Sequence, residues 1–104
     1  MTQTLTTTTT TIEDRACALL HPELAQAVRQ RTEFGIRKYG QRLDDNHQPM
    51  RAWLIHIIQE ALDGCQYALR ADEVALAWEF AEIANDLQER HQLTAAEIMA
   101  GGKH

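Results

Sequence analysis

Residues 52–70, AWLIHIIQEALDGCQYALR, decide how this chain folds. Leu54, Ile57, Ile58, Ala61, Leu62, Cys65, Ala68 and Leu69 recur at steps of three and four, the spacing that gathers side chains on one side of an α-helix. That side is expected to be core. On the other side His56, Glu60, Asp63 and Tyr67 follow at the same steps and stack in one row, an imidazole, two carboxylates and a phenol. A polar face that merely meets water explains such a row as well as a site does, so the flanking segments have to decide between them.

Upstream, Pro49 opens the helix and QRLDDNHQ (41–48) is a polar loop in which Asp44, Asp45 and Asn46 offer cap oxygens. Before it, Pro22 suits the first turn of a helix that carries Leu24, Ala27, Val28 and Arg31 on one face and loosens at Gly35 and Gly40. Thr10 and Thr11, each three residues ahead of an acid, predict a capped short helix through Leu20. The low-complexity MTQTLTTTTT (1–10) is expected to be disordered, or a tail ordered only by contact with a partner. Downstream, Ala71-Asp72 makes a tight break with Asp72 as cap. The next helix runs from about Glu73 to His91 on a stripe of Leu76, Phe80, Ile83, Ala84 and Leu87. Two helices joined so tightly lie antiparallel. Thr94 with Glu97 predicts a last capped helix that ends at Gly101-Gly102. No segment alternates as a strand does, so the fold class is all-α, an antiparallel helical bundle.

At 104 residues the chain is expected to be a single domain after the tail, small enough to gain from burying a face against a second copy, as a homodimer or homotetramer. No apolar run reaches membrane-spanning length. Without a basic segment followed by an apolar one, and with two distant cysteines read as free packing thiols, Cys17 and Cys65, a cytoplasmic location is expected. A net charge of −5 argues against nucleic acid as a partner. It suits a small triphosphate held through metal ions on carboxylates.

A second acidic row supports that reading. Glu79, Glu82 and Asp86 stand at steps of three and four on the helix after the break, and an antiparallel hairpin is expected to bring them against Glu60 and Asp63. Carboxylates so close repel unless a hard cation such as Mg²⁺ or Mn²⁺ sits among them. Arg37, Lys38 and Arg42, with Tyr39 beside them, supply cations for phosphate oxygens and a ring to stack on a base.

RQRTEFGIRKYGQRLDDN followed by a helix bearing QEALDGCQYAL resembles the short, often phage-encoded MazG-like members of the all-α nucleoside triphosphate pyrophosphohydrolases. The resemblance spans about Glu23 to Glu89 and is most specific at Lys38 to Gly40 and Gln59 to Asp63. It implies Mg²⁺-dependent hydrolysis of a (d)NTP to the monophosphate and pyrophosphate, with an EExxE motif on one helix and ExxD on the next. Glu60 matches the second Glu of EExxE, Asp63 stands for its last Glu, and Glu82 matches the Glu of ExxD. Gln59 and Asn85 replace carboxylates, which leaves Glu79, Asp86 or Glu33 to supply the missing ligand.

Under this reading Glu60, Asp63 and Glu82 are catalytic and metal-holding, while Arg37, Lys38, Tyr39 and Arg42 bind substrate. His56 is more often structural in such a place, and Trp53 and Trp78 are read first as core or interface. The alternative is a nucleotide-sensing or protein-interaction module of the same fold in which the motif has decayed. A helix-turn-helix DNA binder is disfavoured, since no basic recognition helix is present.

Overall fold

The computed structural model describes residues 10–100, so the Thr-rich tail ahead of Thr10 and the Gly101-Gly102 terminus lie outside the described residues. Five helices follow in order: α1 (Ile12–Ala18), α2 (Pro22–Tyr39), α3 (Met50–Arg70), α4 (Val74–His91) and α5 (Ala95–Ala100). A 3-10 turn at Leu43–Asp45 lies between α2 and α3, and there is no strand among the described residues. The all-α expectation holds. The helices fall into two compact units, one reaching to His47 and the other starting at Gln48.

The second unit is built on the α3–α4 hairpin. Asp72 takes a left-handed backbone (φ +61°), and Glu73 N–H donates to the Ala68 carbonyl at 2.7 Å while Asp72 N–H donates to Leu69 at 3.1 Å. This bond pair closes a helix when the residue after the cap turns left-handed, a conformation that Asp tolerates better than most residues with a Cβ. Asp72 therefore ends α3 through its backbone and does not cap α4, whose N-cap, Glu73, makes no side-chain cap bond. Asp44 does not cap α3 either: its carboxylate accepts from the Ile12 N–H at 2.9 Å, and α3 starts after Pro49 with no side-chain cap.

Small residues form the seam of the hairpin. Ala61 and Ala68 on α3 and Ala77 and Ala84 on α4 are each at most 6% exposed and recur every seven residues. Gly64 stands between the first two, and a Cβ there would lie 2.8 Å from Cε1 of Phe80. Small side chains let the two axes close up, which narrows the strip of each helix that is covered. Ile55, Ile58 and Leu93 complete the core, with Leu54, Phe80, Leu87 and Ile98 packed on it. The expected stripes are corrected accordingly. Ile55 and Ala77 join the core, whereas Ile57, Leu62 and Leu69 on α3 and Leu76 and Ile83 on α4 stay about half exposed, because they flank a seam too narrow to reach them.

The end of the hairpin is fastened by Arg51. Its guanidinium meets Glu97 at 2.7 and 2.9 Å and donates to the carbonyls of His91 at 3.0 Å and Gln92 at 3.1 Å, tying the start of α3 to the end of α4 and to α5. The Thr94 and Glu97 capping box is formed as expected, by backbone-to-side-chain bonds of 2.9 and 3.1 Å. The Arg51 guanidinium, followed by the Thr94 N–H, holds the Glu97 carboxyl well below its ordinary value, at about 2. Because the folded value is depressed, this tether is fully present above about pH 4.5 and is lost as pH falls through about 2. Amide exchange across residues 94–100 is expected to speed up over that window, and in Arg51→Ala to be fast already at pH 7, with α3 and α4 protected in both cases.

In the first unit neither α1 nor α2 buries a residue, so polar contacts carry the packing. Thr11 caps α1 in a box with Asp14. Arg29 bridges Glu13 at 3.1 Å and Asp14 at 2.9 Å, Arg42 reaches the other oxygen of Glu13 at 2.8 Å, and the Cys17 thiol donates to the Ala25 carbonyl at 3.4 Å. The Arg29 contact lowers the Asp14 carboxyl below its ordinary value. Both cysteines are free thiols. At Gly40 the backbone turns left-handed (φ +80°) and its N–H donates to Ile36 at 2.8 Å, which ends α2.

Candidate functional site

The row on α3 exists as a surface. Glu60, Asp63 and Tyr67 are exposed and His56 is half-buried, with its ring 5.6 Å from that of Trp53 and tilted by 51°. Helical phase explains their place. Ile58, Ala61 and Ala68 are buried against α4, and residues 56, 60, 63 and 67 lie close to half a turn away from them. The same reasoning applies to α4, where Ala77 and Ala84 face the seam and Glu79, Glu82 and Asp86 are exposed on the opposite side. The hairpin therefore does not turn its two acidic rows toward each other as expected. Burying alanine at the seam costs nothing in charge desolvation, whereas unpaired carboxylates there would cost several kcal/mol on the order expected for buried ions.

One substituted motif position, Gln59, and one reserve ligand, Asp86, have occupations of their own. Gln59 donates from Nε2 to the Ile98 carbonyl at 2.7 Å and so anchors α5, a bond that a carboxylate could not make. Asp86 pairs with Arg90 one turn on, which holds its carboxyl below its ordinary value. Asn85 is exposed on the wall of an open hollow with Gln88, Glu89, Gln92 and Leu93. Glu60, Asp63, Glu79 and Glu82 are left outside the ion pairs of the hairpin, which use Glu97 and Asp86. Trp53 is half-buried and Trp78 exposed, so of the two expectations for Trp78, core or interface, the core one does not hold.

The cationic segment lies in the first unit. Arg37 pairs with Glu33 one turn before it at 3.7 Å on the exposed face of α2. The Lys38 ammonium lies 5.9 Å from the Phe34 ring centre and 5.2 Å from that of Tyr39, so its charge is held by two exposed rings. Arg42 and Glu33 meet at an open cleft of about 320 Å³ whose walls include Glu13, Arg29, Gln30 and Ile36. Glu13 and Arg29 were not foreseen. Their one signal in the sequence, an acid beside the capping residue Asp14, reads equally well as helix capping.

Among the described residues no group of three or more His, Cys, Asp or Glu is gathered closely enough to hold a metal ion. The donor set on α3 nevertheless fits Mg²⁺. That ion keeps several waters and is held by one or two carboxylates plus substrate phosphates, and Glu60 and Asp63 offer two hard oxygen donors one helical step apart. No helix among the described residues is long and apolar enough to cross a membrane. No protein-family model, no curated protein and no solved structure matches the chain.

Proposed function

We propose that the chain hydrolyses a (d)NTP to the (d)NMP and pyrophosphate with Mg²⁺, or Mn²⁺ in its place, working in the cytoplasm as a homodimer or homotetramer. The observation that carries this reading is the exposed Glu60 and Asp63 pair, outside the ion pairs of its own hairpin and embedded in the QEALD segment that resembles MazG-like enzymes. Bound there, the ion would neutralise triphosphate charge and lower the pKa of a coordinated water. Glu60 and Asp63 would hold it and orient the attacking water, and Glu82, on the outer face of α4, would join them only across an assembly. Glu79, Asp86 and Glu33 are the reserve ligands, of which Asp86 must first leave Arg90. Lys38, Arg37 and Arg42 would meet phosphate oxygens and Tyr39 would stack on the base.

The test is direct. The purified chain, given a panel of NTPs and dNTPs with Mg²⁺ or Mn²⁺, is expected to release monophosphate and pyrophosphate in equal amounts. Release of inorganic phosphate and a diphosphate, or no release at all, counts against it. The employment of Gln59 by α5 favours the second reading, a nucleotide-sensing or protein-interaction module, because it shows the first motif position committed to structure. That reading expects nucleotide binding without turnover.

A further inference from the structure

The cleft of the first unit is built around a carboxylate that the chain supplies itself. Glu13, on α1, sits between two guanidiniums: its Oε1 accepts from Arg42 Nη1 at 2.8 Å and its Oε2 lies 3.1 Å from Arg29 Nη1. The Glu13 side chain is 12% exposed, while those of Arg29 and Arg42 are 50% and 44% exposed. One oxygen to each arginine is how a pair of guanidiniums holds an oxyanion. Both keep further donors, since among the described residues Nε and Nη2 of each make no hydrogen bond. Gln26, Gln30 and Thr32 line the same cleft and add neutral amide and hydroxyl donors. Its volume of about 320 Å³ is at the small end of the range for ligand sites, roughly 300–1,000 Å³.

We propose that Arg29 and Arg42 form a site for a triphosphate group and that Glu13 is its built-in occupant, displaced with α1 when a ligand phosphate enters. The way α1 is held permits this. It is seven residues long and buries none of them, and Ile12 is 42% exposed. Polar links fasten it to the rest of the unit: Ile12 N–H to Asp44, the Cys17 thiol to the Ala25 carbonyl, and its two acids to Arg29 and Arg42. Segments of that kind open locally at low cost. Charge favours the exchange. With α1 in place, Glu13 and Asp14 balance the two arginines; with α1 lifted, both acids leave together, and the remaining one, Glu33, is already paired with Arg37 at 3.7 Å. A triphosphate brings more charge and more acceptor oxygens than a single carboxylate, so it competes well for the same donors. The site rests on the phosphate role proposed for Arg42, adds Arg29 to it, and needs neither a metal nor turnover.

The test is calorimetric titration of the full chain with inorganic tripolyphosphate in EDTA, which removes metal binding and hydrolysis from the readout. A site filled by its own side chain binds with an affinity reduced to the fraction of time it stands open, so Glu13→Gln is expected to bind at least about tenfold more tightly than wild type. The gain is expected whether α1 stays docked or frays, since the carboxylate is gone either way. Adding Arg29→Gln or Arg42→Gln to Glu13→Gln should cancel it. In the wild-type chain, saturating tripolyphosphate is expected to speed amide exchange across residues 12–18. A non-hydrolysable dNTP analogue is expected to compete with tripolyphosphate; lack of competition upholds the site and assigns it to free polyphosphate in place of a nucleotide. Equal affinity of wild type and Glu13→Gln overturns the proposal, as does a gain that survives both arginine changes, or exchange at 12–18 that slows on binding. Binding here without turnover in Mg²⁺ would leave this site standing and count against the hydrolase reading alone.

Discussion

Glu60→Gln is expected to lower pyrophosphate release from the preferred dNTP by about a hundredfold or more, the scale seen when one group aimed at transition-state charge is removed. The side chain keeps its volume and remains exposed on α3, half a turn from the buried alanines, so helicity and melting temperature are expected to stay within error. Asp63→Asn should do the same, and the double variant should be little worse than either alone, because the two carboxylates act as a unit. Glu82→Gln is expected to cost less. It lies on the far side of α4 from the seam and reaches the reaction only if the site extends around the hairpin or across an assembly. Full turnover in Glu60→Gln would remove the assigned site altogether.

Gly64→Ala is expected to destabilise the chain although it adds a better helix former. Two effects oppose each other. Replacing glycine in a helix interior gains about 1 kcal/mol in propensity. Against that, the new Cβ would stand 2.8, 2.9 and 3.0 Å from three ring atoms of Phe80, which is packed on the core and cannot swing aside without uncovering it. Overpacking of this kind costs typically 1–3 kcal/mol, and a chain this short loses roughly 4–8 °C in Tm per kcal/mol, so a net fall of several degrees is expected. Gly64→Ala combined with Phe80→Leu should recover part of the loss. A Tm that rises in Gly64→Ala would show that the helices stand further apart than the seam implies.

Much of the fold could be read from the sequence because its signals were local. The Pro22 start of α2, the Thr11 and Thr94 capping boxes, and the three-and-four spacing of α3 and α4 each depend on neighbours a few residues away, whereas of the two glycines expected to loosen α2 only Gly40 ends it and Gly35 lies within it. What was missed depended on how two helices meet. The stripes as written contain both Ala61 and Leu62, and periodicity does not say which of them faces the partner helix. The alanine seam does, and once Ala61, Ala68, Ala77 and Ala84 are inside, the larger residues beside them are left half exposed.

The same choice places the acids. Rows one helix apart look convergent on paper, but an antiparallel pair that buries its alanines turns those rows outward. The candidate pair on α3 was legible because it is a local feature of one helix. The commitments of Gln59 to Ile98 and of Glu13 to Arg29 and Arg42 were not, since each joins residues distant in sequence.

On the proposed reading Glu60 and Asp63 together grip a divalent ion carrying a nucleoside triphosphate. It is tested most directly by following free Mn²⁺ by electron paramagnetic resonance as the chain is titrated in with a non-hydrolysable dNTP analogue. Added chain is expected to bind the Mn²⁺ and analogue together in a saturable way. Asp63→Asn and Glu60→Gln are expected to weaken that binding at least tenfold, whereas Asp86→Asn should change it little. Equal binding by wild type and both α3 variants would contradict the account.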